Sequence, residues 1–120
     1  MMTRMQDLPD NVLALEASGE VTGEDYETVV IPAVEKMLAE HDKLRMLYQL
    51  GPDYTGFEGA AMWDDTKVGM RHLTRWEKIA VVTDVEWMAH TVKAFGFLMP
   101  GEVQVFSNAE LAAAKAWVAA

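Results

Sequence analysis

The sequence predicts a single α/β domain built on a mainly parallel five-stranded sheet, and three observations carry that expectation. Strand-length apolar segments alternate with longer segments whose apolar residues recur every three or four positions, a pattern that calls for right-handed crossovers between parallel strands. The run Ile79-Ala80-Val81-Val82 is continuously apolar between Lys78 and Asp84, which suits a central strand covered on both faces. The chain has 120 residues, 51% apolar and 24% charged, enough for one hydrophobic core without staples. The order reads β-β-α-β-α-β-α-β-α over residues 1–120, one domain without linker, internal repeat or low-complexity segment.

Met1–Gln6 reads as a short edge strand, and Leu8-Pro9-Asp10-Asn11 is turn chemistry. Val12–Ser18 follows as a second strand, with Leu13, Leu15 and Ala17 on one face and Glu16 and Ser18 on the other; the two strands pair as an N-terminal hairpin. Gly19 ends the strand, and Thr22 caps the next helix with Asp25 as its acidic partner three residues on. Tyr26, Val29, Val30, Ala33 and Met37 form a buried stripe over residues 23–40, in which Pro32 predicts a bend or two shorter pieces.

Leu44–Leu50 is the third strand and Gly51-Pro52-Asp53-Tyr54-Thr55-Gly56 the strongest loop signal in the chain. A second helix is expected over about Phe57–Leu73, the central strand at Ile79–Val82, and a third helix capped by Asp84 and ended by Gly96. Val103–Phe106 is the last strand. Ser107-Asn108-Ala109-Glu110 then has capping-box spacing ahead of an alanine-rich helix carrying Leu111, Trp117 and Val118.

Composition removes several function classes. Without cysteine there is no disulfide framework, thiolate metal site or cysteine nucleophile, and the two serines, Ser18 and Ser107, give serine hydrolysis little material. A net charge of −9 argues against nucleic-acid binding. The N-terminus is too short and polar for a signal peptide, and no apolar run reaches the length of a membrane span, so the expectation is a cytoplasmic protein without stable membrane insertion. The charge is uneven: residues 1–65 carry fourteen acids and four bases, residues 66–120 five acids and six bases.

Several strings resemble the SpoIIAA-like family of the STAS superfamily. They are Leu8-Pro9-Asp10-Asn11-Val12, Gly19-x-Val21-Thr22, the stretch Trp76-x-Lys78-Ile79-Ala80-Val81-Val82-Thr83-Asp84, and Glu102-Val103-Gln104-Val105-Phe106 with Glu110 and Ala116-Trp117. The resemblance covers nearly the whole chain. It implies the layered fold of the anti-sigma-factor antagonists, which is also similar to the lipid-exchanging CRAL-TRIO domain. Anti-sigma-factor antagonists carry an Asp-Ser-Ser/Thr-Gly switch between strand three and helix two, phosphorylated on its first serine. The matching segment here is Asp53-Tyr54-Thr55-Gly56, with Tyr54 at the acceptor position and Thr55 as the neighbouring hydroxyl.

No catalytic constellation stands out. Asp64 and Asp65 are adjacent on a predicted helix and point about 100° apart, so with Glu58 they read as helix-stabilising acids. His41, His72 and His90 lack metal-ligand spacing, and Glu86 and His90, four residues apart, read as an exposed pair rather than ligands. Gly51, Gly56 and Gly59 match no phosphate-binding loop. No metal and no cofactor is expected.

Two surfaces remain. Lys67, Arg71 and Arg75 stand four residues apart on the second helix and form a basic stripe that could meet an acidic partner, or the acidic half of a second copy in a homodimer. The segment Gly51–Trp63 joins a parallel strand to a helix start, the edge at which open α/β sheets place their sites, and Asp53, Tyr54, Thr55, Gly56, Phe57 and Trp63 are its candidate contact residues. The leading reading is a non-enzymatic regulatory or protein-interaction module. The alternative is a carrier of an apolar, lipid-like small molecule, for which nine methionines and four tryptophans supply a ligand-accepting interior.

Overall fold

The computed structural model describes residues 1–59, 73–96 and 101–120. Its five strands lie side by side in chain order: β1 (Met2–Met5), β2 (Val12–Val21), β3 (Leu44–Phe57), β4 (Trp76–Val82) and β5 (Glu102–Phe106). β1 pairs antiparallel with β2, Met2 opposite Ala17 and Met5 opposite Ala14, and every later pair is parallel. This is the expected sheet with its N-terminal hairpin.

Between β2 and β3 the chain forms α1 (Gly23–Asp25), a π turn (Tyr26–Val30) and α2 (Ile31–Glu40) in one continuous run. The predicted cap is present. Asp25 N donates to Thr22 Oγ1 at 3.2 Å, and Thr22 N donates back to the Asp25 carboxylate at 2.9 Å. Pro32 has no N–H to continue an α ladder, and the chain widens into the π turn just before it, Ile31 N donating to Tyr26 O. The expected bend is therefore a change of helix type. Among the described residues two more helices follow, α3 (Glu86–Gly96) and α4 (Leu111–Ala119).

Strands laid down sequentially by right-handed crossovers keep their connecting helices on one face, whereas a helix after the last strand is free to cover the other. The two cores follow that rule. On the first face Leu13, Leu15, Leu44, Tyr48 and Leu50 of the strands meet Tyr26, Val30, Val34 and Met37, with Met88 of α3 at the margin. On the second face Val12, Ala14, Leu47, Ala80 and Val82 lie beneath Ala114 and Val118 of α4. The continuous apolar run in β4 thus reflects cover on both faces, as expected.

Several boundaries differ from expectation. β2 passes Gly19, which was expected to end it, and continues to Val21, and β4 begins at Trp76 rather than Ile79. β3 runs on through the segment predicted as a loop, to Phe57. Two bulges allow this, because Ala17 pairs with Leu50 but Gly19 with Tyr54 and Glu20 with Gly56. Gly19 at φ +58° and Gly56 at φ +154° occupy backbone regions that side chains disfavour, so the turn-forming glycines serve irregular strand pairing instead. Pro52 is tolerated because β4 pairing stops at Gln49–Val82, before Pro52 is reached. The third helix starts at Glu86, and Thr83 Oγ1 rather than Asp84 accepts the Val85 amide ahead of it, at 3.0 Å. The second helix expected from Phe57 falls almost wholly outside the described residues, while Leu73–Arg75 is a 3₁₀ turn leading into β4. No described helix is long and apolar enough to cross a membrane.

Candidate functional site

The carboxyl ends of β2 to β5 form one edge of the sheet, and the overhang of β3 stands on it. Asp53 and Thr55 are exposed, while Tyr54, Gly56 and Phe57 are half-buried. Tyr54 and Phe57 lean on the first core and meet edge to face, with ring centroids 5.4 Å apart. Partial burial raises the Tyr54 hydroxyl above the usual tyrosine value, which keeps it a neutral hydrogen-bonding group. Alternation sets Tyr54 on the face opposite Asp53 and Thr55, and the irregular backbone at Gly56 interrupts the alternation so that Phe57 also reaches the core. Trp63, Lys67 and Arg71 lie outside the described residues.

Beside this overhang sits a polar cluster that sequence reasoning did not assemble. Asn108, in the 3₁₀ turn after β5, donates its backbone N–H and its Nδ2 to the two Asp84 carboxylate oxygens, each at 3.0 Å. Asn108 Nδ2 also donates to Leu50 O at 2.9 Å, and Gln49 Nε2 donates to Asn108 Oδ1 at 2.8 Å. The cluster ties the middle of β3, where its pairing with β4 stops, to the ends of β4 and β5. It satisfies Gln49, which is buried among apolar neighbours. The bonds from Asn108 hold the Asp84 carboxyl below its ordinary value. The available signal was the position of each residue: Gln49, Asp84 and Asn108 all fall at the end of a predicted strand.

Trp87 is the second omission. Sequence reasoning assigned the tryptophans mostly to the core. Trp76 is buried and Trp117 half-buried, but Trp87, in the first turn of α3, is 58% exposed. Glu86 precedes it, and no ion pair joins Glu86 to His90, so the expected pairing is not formed.

Five of the described basic residues have other employment. Arg75 was expected to continue an exposed helical stripe. It sits instead in the 3₁₀ turn, its Nε donating to Asp42 O at 2.6 Å and its terminal nitrogen to Leu38 O and His41 O at 3.2 and 2.9 Å. It thereby caps the open carbonyls at the end of α2. Arg45 similarly reaches Val118 O at 3.0 Å and pairs with Glu77. Lys78 donates to Trp117 O at 3.1 Å and lies 5.0 Å from the centre of that ring. Lys43 donates to Thr74 O, and Lys115 pairs with Asp7 at 2.7 Å.

The carboxyl edge contrasts with this. Its segments 18–25, 51–59, 83–87 and 107–110 contain eight carboxylates and no Lys or Arg. Among the described residues, the cation brought to it is the Met1 ammonium, 3.4 Å from Asp25. Three of the eight are satisfied by neutral amides: Glu58 accepts from Gly23 N at 3.2 Å, Glu110 from Ser107 N at 2.9 Å and Asp84 from Asn108. Neutral donors fill lone pairs without cancelling charge, so these three acids keep theirs.

Ser107 is occupied in its capping box with Glu110, and no metal-ligating cluster forms among the described residues. A shallow groove of about 200 Å³ lies at the opposite edge among Lys43, Thr74, Trp76, Glu77, Gly101 and Glu102, where Lys43 and Glu77 already have partners.

Comparison with known proteins gives a consistent picture. The model of the SpoIIAA-like family matches residues 12–119. Four solved chains match, among them an uncharacterised protein from Shewanella loihica PV-4 with a SpoIIAA-like fold. It is 26% identical, with 98% of this chain and 92% of that chain covered at a TM-score of 0.75. No curated protein matches the chain.

Proposed function

Because the chain belongs to the SpoIIAA-like family, we propose that it works as a non-enzymatic regulatory or protein-interaction module whose contact surface is the carboxyl edge of the sheet. The observation that carries this reading is the β3 overhang, which presents Asp53 and Thr55 to solvent on a strand held rigid by β2 and by the Tyr54–Phe57 pair. A preformed surface of this kind loses little conformational entropy on binding. The Asn108 cluster supports it by bracing the neighbouring strand ends. The geometry also decides which residues test the idea. Tyr54 and Phe57 contribute to packing, so truncating them confuses stability with binding, whereas Asp53 and Thr55 are exposed and separable.

The test is native mass spectrometry of protein purified from its own host, comparing wild type with Asp53→Arg and Thr55→Arg. A bound protein partner that is lost in both variants, with an unchanged melting temperature, is the expected result. A tightly held apolar small molecule retained by both variants would instead establish the carrier reading and end this one.

A further inference from the structure

We infer that the carboxyl edge receives a basic protein segment, with a Lys or Arg side chain of the partner stacked on the Trp87 indole and its neighbours meeting Glu20, Asp53 and Glu86. The inference rests on the interaction-module reading and adds the partner's chemistry. It also reverses the sign suggested by the basic stripe, in which this chain supplied the cations.

Two independent observations meet here. The first is the surplus of negative charge at this edge, where Glu58, Asp84 and Glu110 are held by neutral amides and Glu20, Asp53 and Glu86 stand exposed. Arg75, Arg45, Lys78, Lys43 and Lys115 spend their charge on main-chain carbonyls or on acids elsewhere, so those described bases are not available to neutralise it. Acidity alone would describe many soluble proteins. The second observation is Trp87, a large apolar ring left 58% exposed on the helix that follows Asp84. Solvent exposure of indole is unfavourable, and tryptophan is among the residues most enriched at binding hot spots. An exposed ring next to Glu86 on an edge rich in acids favours a cation over its face, since the π cloud and the acids attract the same charge. An acidic or purely apolar partner would have to desolvate those carboxylates without repayment.

A displayed library of short random peptides, selected on the full-length protein, provides the probe. The expected winners carry net positive charge. Their affinity should fall roughly tenfold or more in Trp87→Ala and in the double variant Asp53→Lys/Glu86→Lys, and weaken as salt rises. Reversing equally exposed acids elsewhere, Glu35→Lys and Glu102→Lys, should leave it within about twofold, because screening confines the effect to nearby charges. Melting temperatures of all variants separate binding loss from unfolding. Selection of acidic or neutral peptides on the same residues overturns the sign and leaves the module reading standing. Basic winners that bind Trp87→Ala like wild type overturn the location. Absence of enrichment overturns the inference, and takes the module reading with it if the host-purified protein carries a small molecule in place of a protein partner.

Discussion

Replacing Arg75 separates a structural guanidinium from a binding one. Its three hydrogen bonds, at 2.6, 2.9 and 3.2 Å, all end on main-chain carbonyls at or just past the end of α2. A bond from a charged donor contributes about 1.5–3 kcal/mol when well buried. Here the side chain is half-exposed and the carbonyls can rehydrate, so we assign the set about 2 kcal/mol in total. For a chain of this size, 1 kcal/mol moves the melting temperature by about 4 °C, giving a fall of about 8 °C for Arg75→Ala. Arg75→Lys should recover only part of it, since one ammonium cannot span three carbonyls as a planar fork does. Arg75→Glu should fall further than Ala, because it sets a negative charge against the negative end of a helix. An exposed stripe, as the sequence suggested, would leave folding intact in all three variants. Calorimetry with amide exchange at the last turn of α2 decides between them. A shift below about 2 °C for all three variants, with unchanged exchange, would refute the capping argument.

Three further outcomes are expected. Gly101→Ala should lose at least about 2 kcal/mol by chemical denaturation, because a β-carbon there would stand 2.3 Å from Trp76 O and 2.9 Å from Glu77 O, both backbone atoms that cannot swing aside. Lys78→Met should cost about 1 kcal/mol by removing the bond to Trp117 O and the cation over that ring, a loss that calorimetry reads as about 4 °C. Asp84→Ala should destabilise at neutral pH. The folded-state carboxyl is depressed by its bonds from Asn108, so its contribution is fully present above the ordinary value of 3.8 and disappears as pH falls through the lower folded value. Denaturation curves of wild type and variant should therefore converge in that acid window, and a difference persisting below it would argue against the Asn108 bonds as its source.

The order of elements was legible because burial leaves a period in the sequence. Leu13, Leu15 and Ala17 alternate, Tyr26, Val30, Ala33 and Met37 recur by turns of helix, and Ile79–Val82 is apolar throughout because both faces of β4 are covered. Both capping boxes were readable for the same local reason, each being closed within four residues. The β3 overhang was not readable. Gly51, Pro52 and Gly56 are turn formers by intrinsic preference, and only the irregular pairing of this segment with Gly19 and Glu20, far earlier in the chain, holds them extended. Arg75 was misplaced for a similar reason: its partners Leu38, His41 and Asp42 are far away in sequence, and spacing along a helix says nothing about carbonyls supplied by another one.

The charge distribution shows how a linear pattern becomes a spatial one. Along the chain the acids crowd the first half, which reads as a solvated acidic face. In the fold the sorting runs along the strand axis instead. Lys43, Arg45, Arg75 and Lys78 lie at the starts of β3 and β4, where they meet helix ends and the carboxylate of Glu77, while the strand ends carry carboxylates held by caps. Helix geometry ties the two sides together. In a parallel sheet the connecting helices run back against the strands, so their N-termini gather at the carboxyl edge and their C-termini at the other. The macrodipole favours acids at the first edge and bases at the second. Capping and dipole complementation thus stabilise each helix and, without further selection, leave one edge negative. What those terms do not require is an exposed tryptophan on that edge. Trp87 is the residue there that folding leaves unexplained, and on that residue the binding proposal stands or falls.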